Sequence, residues 1–293
     1  MNRRIALPLA ATLAAMASFQ AGASVAARGL FPAVGAEGAA ALRLAFGAAI
    51  LMAIVRPWRR WPRGAPIGPV LALGISMAAT ILLFYLALSR IPQGVAIALQ
   101  FLGPLAVAIA GSRRAPDFLW AALAAGGVWL LAGAGRSGTT LDPLGVVFAL
   151  GAASGWGAYI LLGRAASATF GSSTAALTLS VAALVALPVG LWRAGPAVFS
   201  PSLLPLALVV AVLAAALPFS LELYALPRLP ARTFAVFTSL EPALGVISGF
   251  VLLHQQLAPA QLAGVACVMT AAAGAAWSSA SGGAHAVAEA PAL

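Results

Sequence analysis

Apolar residues run along this chain in long blocks, broken at intervals by short clusters of Arg, Pro, Gly, Ser and Asp. Ten such blocks can be marked: 5–27, 36–55, 67–88, 93–111, 118–135, 143–163, 173–192, 204–225, 232–253 and 259–279. Each is close to the roughly 20 residues that an α-helix needs to cross a hydrocarbon core of about 30 Å. The breaks carry turn chemistry or charge: Gly29 with Pro32, Arg56 to Gly64, Arg90 to Pro92, Ser112 to Pro116, Gly135 to Asp142, Arg164 to Gly171, Arg193 to Pro201, Pro227 to Arg232, and His254 to Pro259. The pattern predicts an all-α integral membrane protein of ten transmembrane helices. The first block follows Arg3 and Arg4 as a secretory leader would. It continues to Ala27, however, and is read as a spanning helix.

One stretch occurs twice. Arg90-Ile91-Pro92 precedes an apolar run to Gly103-Pro104, and Arg228-Leu229-Pro230 precedes another to Glu241-Pro242. The offset is 138 residues throughout, and residues 87–111 laid on 225–249 without gaps share 8 of 25 positions. Two prolines, an arginine and a glycine in register mark a duplicated unit. Each copy belongs to five blocks. An odd number makes the second copy enter the membrane from the opposite side, so the expected architecture is two inverted-topology five-helix repeats, 5–135 and 143–279. Swapping the conformations of such halves exchanges inward-open and outward-open states in many secondary transporters. Residues 280–293, which follow a Ser- and Ala-containing stretch and consist largely of Ala with Gly, are expected to form a disordered cytoplasmic tail.

Composition sharpens this picture. Apolar residues make up 62% of the 293, charged residues 8%, and mean hydropathy is +1.03. Soluble domains carry about 25% charged residues, so lipid is the environment. The net charge of +10 comes from 16 basic residues, all Arg, scattered in short loops. No basic domain exists to grip nucleic acid. The asymmetry instead sets topology, because cytoplasmic loops are enriched in basic residues. An inside N-terminus puts eleven arginines inside and four outside, with the C-terminus inside as well. Trp58, Trp61, Trp120 and Trp192 near block ends read as interfacial anchors. Cys267 is the single cysteine, and His254 and His285 are the only histidines. No metal cluster, nucleophile–base pair or phosphate loop is present, which argues against an enzyme and against a cofactor.

Three charges fall within blocks beyond their outermost two residues: Arg43, Glu222 and Glu241. A charge at mid-bilayer costs about 2.5–3.5 kcal/mol or more, so such residues mark functional sites. Arg43, roughly 10 Å deep at about 1.5 Å per residue, either satisfies backbone carbonyls or binds a substrate carboxylate. Glu241 either braces the backbone beside Pro242 or serves a substrate amine or a proton. Glu222 lies near a block end, where snorkelling is the simpler reading. Pro104 and Pro242 are expected to kink their helices, freeing the carbonyls of Gln100 and Thr238. Those positions are then matched cavity candidates, with Glu241 against Gly103 the asymmetric pair. Phe84, Tyr85, Trp156 and Tyr159 offer rings for cavity lining and for an ammonium. Gln20, Ser76 and Thr80 either bind substrate or cross-link helices. Gly151-x-x-x-Gly155 and Gly245-x-x-x-Gly249 suggest close internal packing, which favours a monomer over a dimer.

Leu240-Glu241-Pro242-Ala243-Leu244 with Pro230-Ala231-Arg232-Thr233-Phe234 resembles the second EamA domain of the drug/metabolite transporter superfamily. Pro92-Gln93-Gly94-Val95-Ala96, Gly103-Pro104-Leu105-Ala106-Val107 and Ser112-Arg113-Arg114-Ala115-Pro116-Asp117-Phe118 resemble the first, and Ala40-Ala41-Leu42-Arg43-Leu44 is similar to its second helix. Within the superfamily the chain looks like the bacterial threonine/homoserine exporter branch, near the aromatic amino-acid exporters. Gln100 stands where that pattern often has an acidic residue. The resemblance implies ten helices around a central cavity and export of amino acids or related small metabolites across the inner membrane by alternating access, with a proton as one candidate for coupling. A multidrug or other metabolite transporter of the same superfamily, and a non-transporting membrane scaffold, are the alternatives.

Overall fold

The computed structural model describes residues 3–62, 64–110, 115–133, 141–225 and 228–288. Among them regular structure is helical throughout. Helices α1 (Arg3–Gly29), α2 (Phe31–Val55) and α3 (Gly68–Leu88) are followed by a pair, α4 (Gln93–Gln100) and α5 (Leu102–Ala110), then α6 (Ala115–Gly133) and α7 (Pro143–Phe170). The chain continues through α8 (Thr174–Ala194), α9 (Leu204–Ala211), α10 (Leu217–Ala225), α11 (Ala231–Thr238), α12 (Glu241–Leu253) and α13 (Pro259–Ala288). Eight stretches among the described residues are long and apolar enough to cross a membrane. One of them, Pro143–Phe199, holds both α7 and α8, and a shorter apolar segment, Phe118–Leu131, lies in α6.

Three blocks that read as single helices are interrupted. The chain turns at Phe101 between α4 and α5, and again at Ser239 and Leu240 between α11 and α12. The two breaks fall at positions 138 apart. Pro104 and Pro242 each lie in the first turn of the following helix, where an amide has no intrahelical acceptor to lose. The prolines therefore start new helices rather than kinking continuous ones. The third interruption was not foreseen: a π-helical turn, Val212–Ala216, joins α9 to α10. At the other end, α13 continues to Ala288, past the boundary expected at 279. Alanine is the best helix former, and the rest of the expected tail, 289–293, lies outside the described residues.

The bundle packs through small side chains. Without water between helices, association rests on close van der Waals contact, which glycine and alanine permit. A Cβ on Gly155 would meet Thr80 Oγ1 at 2.6 Å, and one on Gly190 would meet Cβ of Ala41 at 2.6 Å. Gly245 sits equally close to Ile97. Both glycine pairs singled out in the sequence thus have an internal packing role. Gly103 lies so close to the Ala153 carbonyl that no side chain fits there.

Two exposed or half-exposed ion pairs tie the bundle ends, Arg90–Asp142 at 2.8 Å and Arg193–Glu37 at 3.1 Å. Asp142 also caps α7, accepting from the Leu144 amide at 2.9 Å. The Arg90 hydrogen bond, aided by the Leu144 amide, holds its carboxyl below the usual carboxylate range. A depressed folded-state pKa means stability that is present above the unfolded value of about 3.9 and lost as pH falls through the folded one. Asp142→Ala should therefore lower Tm at pH 7, and that effect should shrink as the pH falls below the unfolded value. A thermal-melt series in detergent across that range measures it.

Candidate functional site

The site is assembled around one carbonyl. In an unbroken α-helix the Ala214 carbonyl would accept from residue 218, but residue 218 is proline and has no N–H. The π turn also sends the Leu217 amide to Val212, past the Leu213 carbonyl. Two carbonyls in mid-helix are thus left for side chains. Ser18 Oγ on α1 donates to Leu213 O at 2.7 Å, and Arg43 Nη2 on α2 donates to Ala214 O at 2.8 Å. Such π turns are frequent at functional sites.

Arg43 is 2% exposed. Its guanidinium lies 4.7 Å from the Phe19 ring centroid and 5.4 Å from that of Tyr85, a distance at which ring faces attract cations. Its Nε and Nη1 are buried and have no hydrogen-bond partner. Buried donors are nearly always paired, so these two N–H-bearing atoms are a strong pointer to a ligand. The Arg43 side chain borders a cavity of about 170 Å³. Glu222 of α10 and Glu241 of α12 line the same cavity. Gln100 is there too, and its Oε1 is likewise buried and unpartnered. Its walls are Trp156, Tyr159, Phe84 and Phe219, with methionines 16 and 77. Phe101 meets Trp156 edge-on at 4.9 Å and fixes that ring.

Of the eleven residues proposed from sequence for substrate binding, the structure brings seven together as cavity lining: Arg43, Thr80, Phe84, Gln100, Trp156, Tyr159 and Glu241. Four stand elsewhere. Gln20 lies behind the wall, donating to Glu241 Oε1 at 3.1 Å. Ser76 cross-links helices through the Gly155 carbonyl at 2.6 Å. Tyr85 is fully buried beside Arg43. Thr238 bonds its own helix at Ala235 O, 2.9 Å away, and is not a lining residue. Glu222 reverses its simpler reading, since it faces the cavity rather than the interface. A signal for it existed: it lies 138 residues after Phe84, as Pro218 does after Thr80 and Phe219 after Ile81, and all six line the cavity.

Among the described residues, apolar helices of membrane-spanning length surround a small cavity lined by side chains of both charge signs. Residues 143–277 match the EamA-like transporter family, and the chain belongs to that family. It is 46% identical over 269 residues to the threonine/homoserine exporter RhtA of Escherichia coli (strain K12), covering 92% of this chain and 90% of that protein. The RhtA of Salmonella typhimurium (strain SL1344) is 45% identical over the same length. A solved crystal structure with 22% identity superposes with a TM-score of 0.58, covering 91% of this chain and 96% of the other, which shows a shared fold. The chain is therefore a membrane transporter and not an enzyme.

Proposed function

We propose that this chain exports threonine, homoserine or a closely related small amino acid across the bacterial inner membrane. The observation that carries this reading is a buried Arg43 guanidinium with two unpartnered donor nitrogens, on a side chain that lines the same cavity as two carboxylates. A free amino acid is a zwitterion. Its carboxylate fits a guanidinium that has donors to spare, and its ammonium fits Glu241 and Glu222. Trp156 and Phe219 then bound the side chain. The naming of the RhtA relatives as threonine/homoserine exporters supports the same class. So does the volume, since drug-sized ligands occupy pockets of about 300–1,000 Å³, which disfavours a multidrug role.

The architecture proposed with this function is ten helices in two inverted repeats, 5–135 and 143–279, with both termini cytoplasmic. Support comes from the matched helix breaks and from the three pairs of cavity residues at one offset. Alternating access then follows from exchange of conformation between the halves, with a proton as candidate coupling ion and the monomer as the working unit.

Counterflow in proteoliposomes tests this reading. Vesicles loaded with unlabelled threonine should accumulate labelled threonine and be competed by homoserine. Counterflow with cationic drugs and none with amino acids would reject it.

A further inference from the structure

Behind the cavity wall a line of buried polar side chains leads away from Glu241. Gln20, Ser24 and Gln93 are each 0% exposed, and Ser248 is 9% exposed. Gln20 Nε2 donates to Glu241 Oε1 at 3.1 Å. Gln93 Nε2 donates to Gln20 Oε1 at 2.8 Å and to the Gln20 carbonyl at 2.8 Å. Ser24 Oγ donates to Gln93 Oε1 at 2.6 Å. That spends the Ser24 proton, so at the 2.8 Å Ser24–Ser248 contact Ser248 is the donor. Every bond in the line therefore points the same way, from Ser248 to the Glu241 carboxylate. Such chains polarise one another, each bond strengthening the next.

The line runs from the cavity residue Glu241 toward the C-terminal end of α1 and the N-terminal end of α4. At that end Gln255 Oε1 accepts from the Gln93 amide at 2.9 Å, and exposed Arg28 reaches the Leu252 carbonyl at 2.9 Å. The members come from α1, α4 and α12. α4 and α12 each adjoin a helix break, at Phe101 and at Ser239–Leu240, where a half-helix has freedom to tilt. Between them Gly94 sits against Val246 and Gly245 against Ile97, a contact of small residues that can part without disentangling long side chains. Between α2 and α8, by contrast, the contact is made by Ala, Gly and Leu. An apolar seal would suffice for packing alone. A polar seal has a different property: water can replace each of its bonds when it opens.

We propose that Ser24, Gln93, Ser248 and Gln255 form the closed gate on one side of the cavity, and that Gln20 is the positioning residue that links this gate to the substrate site. The proposal rests on the amino-acid reading of the cavity. A substrate ammonium arriving at Glu241 competes with Gln20 Nε2 for the carboxylate. Once released, the Gln20 amide gives up its bond to Gln93, which keeps only the Gln20 backbone carbonyl for that nitrogen, and the line is weakened at its centre. Occupancy of the site is thereby read by the gate through one side chain.

The test uses full-length protein in proteoliposomes, in a Cys267→Ala background that leaves no native thiol. In one arm, Ser24→Cys/Ser248→Cys is oxidised to cross-link the gate. Threonine counterflow should fall at least 100-fold and return on reduction; flux unchanged by a formed disulfide overturns the proposal. In the second arm, Ser24→Cys alone is exposed to a membrane-impermeant thiol reagent from each side. Labelling from one side only, at a rate that threonine changes, is expected; a thiol that stays unlabelled from both sides overturns the proposal whether or not the disulfide forms. Gln20→Leu should reduce maximal flux about 10-fold with little change in KM, should abolish the threonine effect on labelling, and should be partly rescued by Gln20→Asn, which keeps both the amide donor and the acceptor. A simple packing role would leave the threonine effect intact. If even the parent protein carries no threonine, the amino-acid reading fails, while one-sided labelling still decides the gate.

Discussion

Arg43→Gln should abolish measurable threonine counterflow, a loss of at least 100-fold, while the protein still inserts and purifies as a monodisperse species. Glutamine is polar but two bonds shorter than arginine, so the Ala214 carbonyl beside Pro218 loses its direct donor as well, and fold is read separately from flux. The substitution also removes the charge and the two unpartnered donors of a side chain that lines the cavity. Truncating one partner of a buried charge pair costs about 2–5 kcal/mol, which is roughly 30- to 5,000-fold in affinity at about 1.4 kcal/mol per factor of ten. Arg43→Lys should rescue little. An ammonium cannot hold a carbonyl and a carboxylate in one plane, and it stacks less well on Phe19. Binding measured by threonine-induced thermal stabilisation, beside flux, distinguishes loss of affinity from loss of fold. Threonine binding and flux at wild-type levels in Arg43→Gln would mean that the guanidinium serves the π turn alone.

Glu241→Gln should have the second largest effect, a fall of about 100-fold in threonine flux with nearly unchanged stability. The substitution is close to isosteric. Its amide oxygen can still accept from Gln20 Nε2, so the wall of the cavity is kept. It loses the negative charge that faces a substrate ammonium, where charge-assisted bonds are about twice as strong as neutral ones. Glu222→Gln should have a smaller effect, because Glu222 makes no side-chain bond to α1 or α4 among those described, and a second carboxylate remains. Flux of the three proteins in parallel vesicles orders them. An order with Glu222→Gln far below Glu241→Gln would move the ammonium site toward α10.

Much of the fold was legible because lipid imposes simple rules. Block length located the helices, and the repeated proline stretch located both breaks, at Phe101 and at Ser239–Leu240. Arg43, Gln100, Trp156, Tyr159 and Glu241 could be picked out because a polar or amphipathic residue inside an apolar block needs a reason to be there. The asymmetry of Glu241 against Gly103 has a packing cause. Gly103 lies on the Ala153 carbonyl, where no side chain fits, whereas Glu241 faces open space. Thr238 was misplaced by symmetry for a related reason: a shared offset fixes position along the helix but not what the neighbouring helices leave open. Glu222 was hidden by its closeness to a block end, and only its offset from Phe84 marks it.

The π turn was the least visible feature. A proline at position 218 reads as an ordinary kink until Arg43 and Ser18 are seen to supply what the helix lacks. The same side chain that repairs the backbone also presents charge to the cavity, so structural and functional readings of Arg43 are not alternatives. Local sequence cannot show that, because the two partners are 171 residues apart. The polar line behind Glu241 is similar: its members come from three helices and become one feature only when α1, α4 and α12 meet.

The central claim is that a zwitterion is held between Arg43 and Glu241. Threonine counterflow, compared with that of its decarboxylated amine and its deaminated hydroxy acid, measures this directly. The account predicts exchange of threonine and homoserine, and less than about one hundredth of that rate for either analogue lacking one charge. Equal exchange of threonine and either analogue would contradict it.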